Sequence, residues 1–285
     1  MPQGFSAIWA CVALDLVGFG IVVPILPRYA ERFGASPTTV GLLVASFSIA
    51  QLLFAPVWGR VSDRIGRKPV LVASLVGTAV GSLLTGLAGT LWLLFAGRII
   101  DGVSGASVSV AQAAVADMAE PEQRARLLGL LGAAFGLGFV AGPAIGALAV
   151  LGGPHVPFFI AAALAGVNAV IAWKRLPETK PSGELATVAL AGQGKRGEFA
   201  GKSRGTGGLL LVTFLGMLAF SAFEATFALF AEGRLDLSES STYAVFAAIG
   251  VAIVVVQVRV VHPTVTRFGE RGAAQLGLVL NGFGL

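Results

Sequence analysis

The sequence predicts an all-α membrane protein, on three observations. Charge is scarce, apolar residues gather in runs of membrane length, and Lys and Arg fall mainly in every second connection between those runs. Of 285 residues, 55% are hydrophobic and 12% charged, with a mean hydropathy of +0.84. Soluble domains carry about 25% charged residues, so an apolar surplus of this size calls for a bilayer as solvent. The net charge of +5 and pI of 9.9 would also suit a nucleic-acid binder. Here, however, the cations form short clusters between long uncharged runs, which argues against nucleic acid. One cysteine, Cys11, and two histidines, His155 and His262, cannot build a disulfide framework or a Cys/His metal site. No metal and no cofactor are expected, and Cys11 reads as packing.

The elements follow in order. The start, Met1 to Trp9, lacks the basic opening of a secretory signal, so the first apolar run reads as a retained span. Runs fall near 5–26, 38–58, 70–88, 91–115, 127–150, 156–173, 208–231 and 242–261, and a ninth begins near Ala273 and is cut at Leu285. About 20 apolar residues cross the hydrocarbon core as a helix. Lipid offers no partner for backbone groups and period-2 alternation is absent, so the runs are helices rather than barrel strands. With the N-terminus in the cytoplasm, fifteen Lys and Arg lie in inside connections and three, Arg28, Arg32 and Arg234, lie outside. That asymmetry predicts a multi-pass protein of the plasma (inner) membrane with a cytoplasmic N-terminus. The one long polar stretch, Lys174 to Gly207, is rich in Gly, Lys and Ser and reads as a linker.

An internal repeat is also present. Arg32-Phe33 with Ser36 matches Arg234-Leu235 with Ser238, and Arg64-Ile65-Gly66-Arg67-Lys68 matches Arg267-Phe268-Gly269-Glu270-Arg271. The two matches lie roughly 200 residues apart, which predicts duplicated halves of six spans and a full length of about 400 residues. The expected division is 1–173 as an N-terminal six-helix half, 174–207 as a cytoplasmic linker and 208–285 as the start of the C-terminal half, with spans seven, eight and part of nine. The second half is therefore expected to be truncated.

Four sets of residues carry chemistry. Asp15 lies about 15 Å into span one at about 1.5 Å per residue, near the bilayer centre. Glu224 in span seven is its counterpart. A lone carboxyl at that depth either binds a proton or cation or is a satisfied structural group. Arg98 and Asp101 in span four are three apart and share a helix face, as a structural ion pair or as coupling groups. After span two, Gly59, Asp63, Arg64, Gly66, Arg67 and Lys68 form a charged turn. Gly59 permits close helix approach, Asp63 can pair with a cation or cap a helix, and Gly66 turns the chain. In span five, Gly138, Gly142 and Gly146 make one strip, with Pro143 bending the helix. Gln51, Gln112, Asn168 and Gln257 read as interhelical polar contacts, and Arg259, His155 and His262 as groups near span ends.

Gly59-Arg60-Val61-Ser62-Asp63-Arg64-Ile65-Gly66-Arg67-Lys68, together with the six-plus-six repeat, resembles the major facilitator superfamily. The run Gly138-x-x-x-Gly142-Pro143-x-x-Gly146 resembles the antiporter motif of its drug-exporting branch, with Ala147 at the customary second Gly. Leu176-Pro177-Glu178-Thr179 and the stretch around His155 look like tetracycline/proton antiporters. The resemblance implies a major facilitator fold and a gate loop at 59–68 that latches the two halves. It also implies a proton-coupling role for Arg98. Where tetracycline antiporters carry acid, His and acid in spans three, eight and nine, this chain has Gly81, Ile253 and Asn281, which weighs against tetracycline as substrate. The resulting expectation is a secondary transporter exporting a drug or other small amphipathic or cationic compound against protons, as a monomer. A small-metabolite importer or facilitator of the same fold stays open, as does a truncated protein that transports nothing. No nucleophile–base pair suggests an enzyme.

Overall fold

The structure is a computed structural model that describes residues 2, 4–178, 206–235 and 239–284. The described residues are helical or connect helices, in the order α1 (Phe5–Glu31), α2 (Pro37–Ile65), α3 (Arg67–Gly86), α4 (Leu91–Ser104), α5 (Ser107–Met118), α6 (Pro121–Val150) and α7 (Val156–Arg175). There follow α8 (Thr206–Leu235), α9 (Glu239–Val255), a π-helical turn (Val256–Val260) and α10 (Val261–Gly284). Among the described residues, six helical stretches are long and apolar enough to cross a membrane, α4 and α5 together making the fourth. Most of the expected linker, 179–205, lies outside the described residues.

Helix ends follow local chemistry. Ser36 caps α2, its Oγ accepting from the Thr39 backbone N–H at 3.2 Å, with Pro37 in the first turn. Thr90 caps α4 in the same way. Between α2 and α3 stands Gly66 with φ 107°, and its counterpart in the repeat, Gly269, has φ 70° and breaks α10. Both positions need a conformation that side chains bearing a Cβ resist. The repeated sequence therefore folds into the same turn twice.

Two expectations change. The fourth span is not continuous: it breaks at Gly105 and Ala106. The eighth run does not stop near 261, because the helix continues through the π-helical turn into α10 and is interrupted only at Gly269. Hydropathy cannot locate the first feature, since it lies inside apolar sequence.

Helix α1 is the axis of the described bundle. Two thirds of its apolar window (67%) is buried, against 17% for α2. It packs on α6 and α7, while α3 packs on α7 and α4, α2 on α4, and α9 on α6. Two apolar clusters stack along it. One gathers Ile8, Val12, Leu71, Leu75, Val110 and Leu131, and the other Ile21, Leu26, Tyr29, Leu43, Leu94 and Phe158. Cys11 lies buried in the first cluster, as packing. The charged residues of the interior sit beside the join between the clusters.

Candidate functional site

A cavity of about 580 Å³ opens among α1 to α7, lined by Asp15 and Phe19 of α1, Phe47 and Gln51 of α2, Thr78 of α3, Arg98 and Asp101 of α4, and Ser107 and Gln112 of α5. Helix α4 presents Arg98 and Asp101 on one face, as their spacing requires. Arg98 Nη1 lies 2.7 Å from Asp101 Oδ2, with both side chains almost fully buried (5% and 8% exposed). The guanidinium also sits 4.3 Å from the centre of the Phe47 ring, a cation–π contact. Thr78 lines the cavity with them. Asp15 is half-buried at the cavity wall and accepts a hydrogen bond from Ser107 Oγ.

The break in span four explains Ser107. Interrupting a helix inside lipid exposes backbone groups that need partners. Four of them are met by side chains from neighbouring helices. Trp58 Nε1 donates to the Val103 carbonyl at 2.5 Å, Ser74 Oγ to the Ser104 carbonyl at 2.5 Å, and Gln51 Nε2 to the Gly105 carbonyl at 2.7 Å. The Ala106 N–H donates in turn to Ser74 Oγ at 3.1 Å. The restart of the helix puts Ser107 at the head of α5, with its hydroxyl on Asp15. Gln51 and Asn168 thus act as the interhelical contacts expected of them, Asn168 through the Cys11 carbonyl at 2.8 Å.

At Gly81 an added Cβ would stand 2.8 Å from both Asp101 Cβ and the Gly97 carbonyl oxygen. The carboxylate beside Arg98 comes from Asp101 of α4, whose Cβ and backbone lie against Gly81.

The turn after α2 is a second polar centre. Arg67 Nη1 pairs with Asp63 at 2.7 Å and donates to Ser62 Oγ at 2.6 Å, while its Nε reaches Asp117 at 3.0 Å. Its backbone N–H donates to Glu178 Oε1 at 2.9 Å. Asp63 therefore pairs with a cation rather than capping a helix. Lys68 Nζ lies 5.8 Å from the centre of the Trp173 ring, and Arg64 is exposed. Gly59 departs from expectation: an added Cβ would meet nothing within 4 Å among the described residues, so no helix approaches it closely. That face of α2 turns away from α3 to α7.

The glycine strip of α6 lies against α1. A Cβ at Gly138 would come within 2.6 Å of the Leu16 carbonyl oxygen, one at Gly142 within 2.6 Å of Gly20 Cα, and one at Gly146 within 3.0 Å of Ile25 Cδ1. The helix runs on through Pro143. Because Leu16 follows Asp15, the strip sets how near α6 comes to the carboxyl-bearing turn of α1. On another face of α6, Gly136 meets Gly250 and Val254 of α9 with similar closeness.

Asp15, Arg98 and Asp101 thus share one cavity. The side chains of Glu224, Gln257 and His262 lie outside the described residues, as does Asn281. Sequence reasoning did not single out Ser107, Thr78 or Phe47 at the cavity, or Asp117 at the gate turn. Asp117 carried a signal, being an acid at the inner end of a span beside a basic turn that needs a counter-charge. Ser107 and Phe47 carried none.

Membrane-length helices around a roomy, charged interior cavity define a membrane transporter. The chain belongs to the Major Facilitator Superfamily, whose family model matches residues 8–285. It is 34% identical to the tetracycline resistance protein, class B, of Escherichia coli over 270 residues, 93% of this chain and 67% of that protein. With the class C protein of the same organism the identity is 36%, over 96% of this chain and 70% of the relative. Multidrug resistance protein 2 of Bacillus subtilis (strain 168) is 28% identical over 96% of this chain and 70% of its own length. The chain spans about seven-tenths of these relatives. In fold it is similar to the human organic anion transporter MFSD10 (TETRAN), with a TM-score of 0.70 at 24% identity, covering 93% of this chain and 74% of that one. The all-α major facilitator fold is the one the sequence predicts, and the protein is a multi-pass membrane protein of a transporter family.

Proposed function

We propose that this chain is part of a proton-coupled exporter of a drug or other small amphipathic or cationic compound. The observation that carries the reading is the charge layout of the cavity. Two carboxyl groups, Asp15 and Asp101, and one guanidinium line the same cavity, and Arg98 is held by Asp101. Asp15 is left with a hydroxyl partner, Ser107, and with open cavity before it. A carboxyl so placed exchanges a proton for a cation, while Phe19 and Phe47 offer apolar surface to the rest of the substrate. Arg98 and Asp101 serve as the coupling pair, and Glu224 as the second-half counterpart of Asp15. Relatives named for tetracycline and multidrug resistance support a drug as cargo.

In this reading 1–173 is the first six-helix half, 174–207 the cytoplasmic linker and 208–285 the opening of the second half. The N-terminus lies in the cytoplasm, in the inner membrane, and the protein works as a monomer. The two halves rock about the cavity, and Asp63, Arg64, Gly66, Arg67 and Lys68 latch them at the inner face. Gly138, Gly142, Pro143 and Gly146 hold α1 against α6. The test is proton release driven by cationic drugs in vesicles holding the protein. Asp15→Asn should abolish it, and exchange that survives this change removes Asp15 from the mechanism. Uptake rather than export under an imposed pH gradient would favour an importer.

A further inference from the structure

A second concavity lies on the opposite side of α3 and α7 from the cavity. It is an apolar groove of about 650 Å³, and its lining includes Val72, Val76 and Leu83 of α3 and Gly166, Val170 and Trp173 of α7. Val76, Val170 and Trp173 stand 48%, 55% and 62% exposed. The floor is open at Gly166, where an added Cβ would meet nothing within 4 Å. The two helices run antiparallel, since Gly86 at the end of α3 abuts Phe158 and Phe159 at the start of α7, while Lys68 lies by Trp173.

The groove has a charged end and a fitting length. One helical turn before Val72 on the same face stands Lys68, and one turn after Val170 stands Lys174. Both lysines therefore cap the stripes that line the groove, and Trp173 sits between them at the level where aromatic side chains meet headgroups. The acids described nearby, Asp63, Asp117 and Glu178, all bond to Arg67. From Val72 to Leu83 the groove runs roughly 16 Å at about 1.5 Å per residue, close to half of the ~30 Å hydrocarbon core. That is the depth of one leaflet.

We infer that the groove between α3 and α7 seats an acyl chain of an anionic phospholipid whose headgroup is held by Lys68 and Lys174. A second copy of the chain does not suit this face. Copies in one membrane share an orientation, so pairing here would bring four lysines to one level without counter-charge. An anionic headgroup supplies that charge, as basic pockets between membrane helices do elsewhere. Only the choice of leaflet, the inner one, rests on the orientation proposed above. Because Lys68 adjoins Arg67, an occupied groove would bear directly on the gate turn.

Native mass spectrometry of the protein in detergent, titrated with phosphatidylglycerol and with phosphatidylcholine of the same chains, tests the inference independently of transport. Phosphatidylglycerol should bind on the order of tenfold more tightly, and K68Q/K174Q should bring the two lipids level. Gly166→Leu fills the floor where there is room and should weaken both lipids severalfold while keeping their ratio. A preference for phosphatidylglycerol that survives K68Q/K174Q, or unchanged binding in Gly166→Leu, overturns the site. So does a dimer peak lost in Gly166→Leu.

Discussion

Arg98 and Asp101 are buried so deeply that removing either alone takes from the other a charge partner 2.7 Å away. Asp101→Asn should destabilise the folded protein by about 3–5 kcal/mol, because the guanidinium keeps its cation–π contact with Phe47 but loses its carboxylate. The apolar double variant R98M/D101L should recover most of that stability while losing coupled transport, as seen by thermal unfolding in detergent beside a vesicle assay. If D101N unfolds at the parent's temperature, the pair does not carry this energy. Gly81 gives a companion test. Gly81→Asp alone should cost about 1–3 kcal/mol through overpacking, since its Cβ meets Asp101. D101A keeps the Cβ at position 101 and the backbone beside it, so G81D/D101A should recover none of the loss, and recovery would place the clash elsewhere.

Helix packing is set by glycines whose roles differ with their surroundings. At Gly142 a methyl group would stand 2.6 Å from Gly20 Cα, and backbone cannot swing aside as a side chain can. Gly142→Ala should therefore cost about 1–3 kcal/mol and lower the unfolding temperature, whereas Gly59→Ala should leave it unchanged or raise it. Equal effects at the two positions would refute the close seating of α6 on α1. The break between α4 and α5 belongs to this scale as well. Ser74→Ala strips a donor from the Ser104 carbonyl and an acceptor from the Ala106 N–H, leaving these two groups only each other at 2.7 Å, and should cost about 1–3 kcal/mol in all. Hydrogen exchange should quicken at Ala106 and Ser107, and unchanged protection there would show that the staple is dispensable.

For the whole molecule, the turn after α2 is the place where one residue gathers three segments. Arg67 binds Asp63 of α2 and Asp117 of α5, and its backbone N–H meets Glu178 beyond α7. Lysine cannot reproduce that fork, so Arg67→Lys and Arg67→Ala should both shift the balance between inward- and outward-open states. The buried position of Cys11, the chain's single cysteine, leaves a clean background for labelling. In S109C, whose new thiol lines the cavity, a membrane-impermeant maleimide should react at a rate that Arg67→Ala changes severalfold. An unchanged rate would argue that the turn latches nothing.

Much of this protein was legible before its structure. Apolar runs of membrane length, the bias of Lys and Arg to alternate connections, and the motifs at 59–68 and 138–146 determined an all-α major facilitator protein and pointed to Asp15, Arg98 and Asp101. These features are local: run length, charge and spacing act along the chain, where a bilayer reads them directly. The repeat even foretold a turn, since Gly66 and Gly269 share left-handed φ values. Only tertiary structure decided that Ser107 serves Asp15, that α4 packs closely on Gly81, that Asp117 joins Arg67, and that span four breaks. Each of these depends on side chains from different helices meeting at hydrogen-bond or van der Waals distance, and that distance is set by how the helices pack, which no single stretch of sequence encodes.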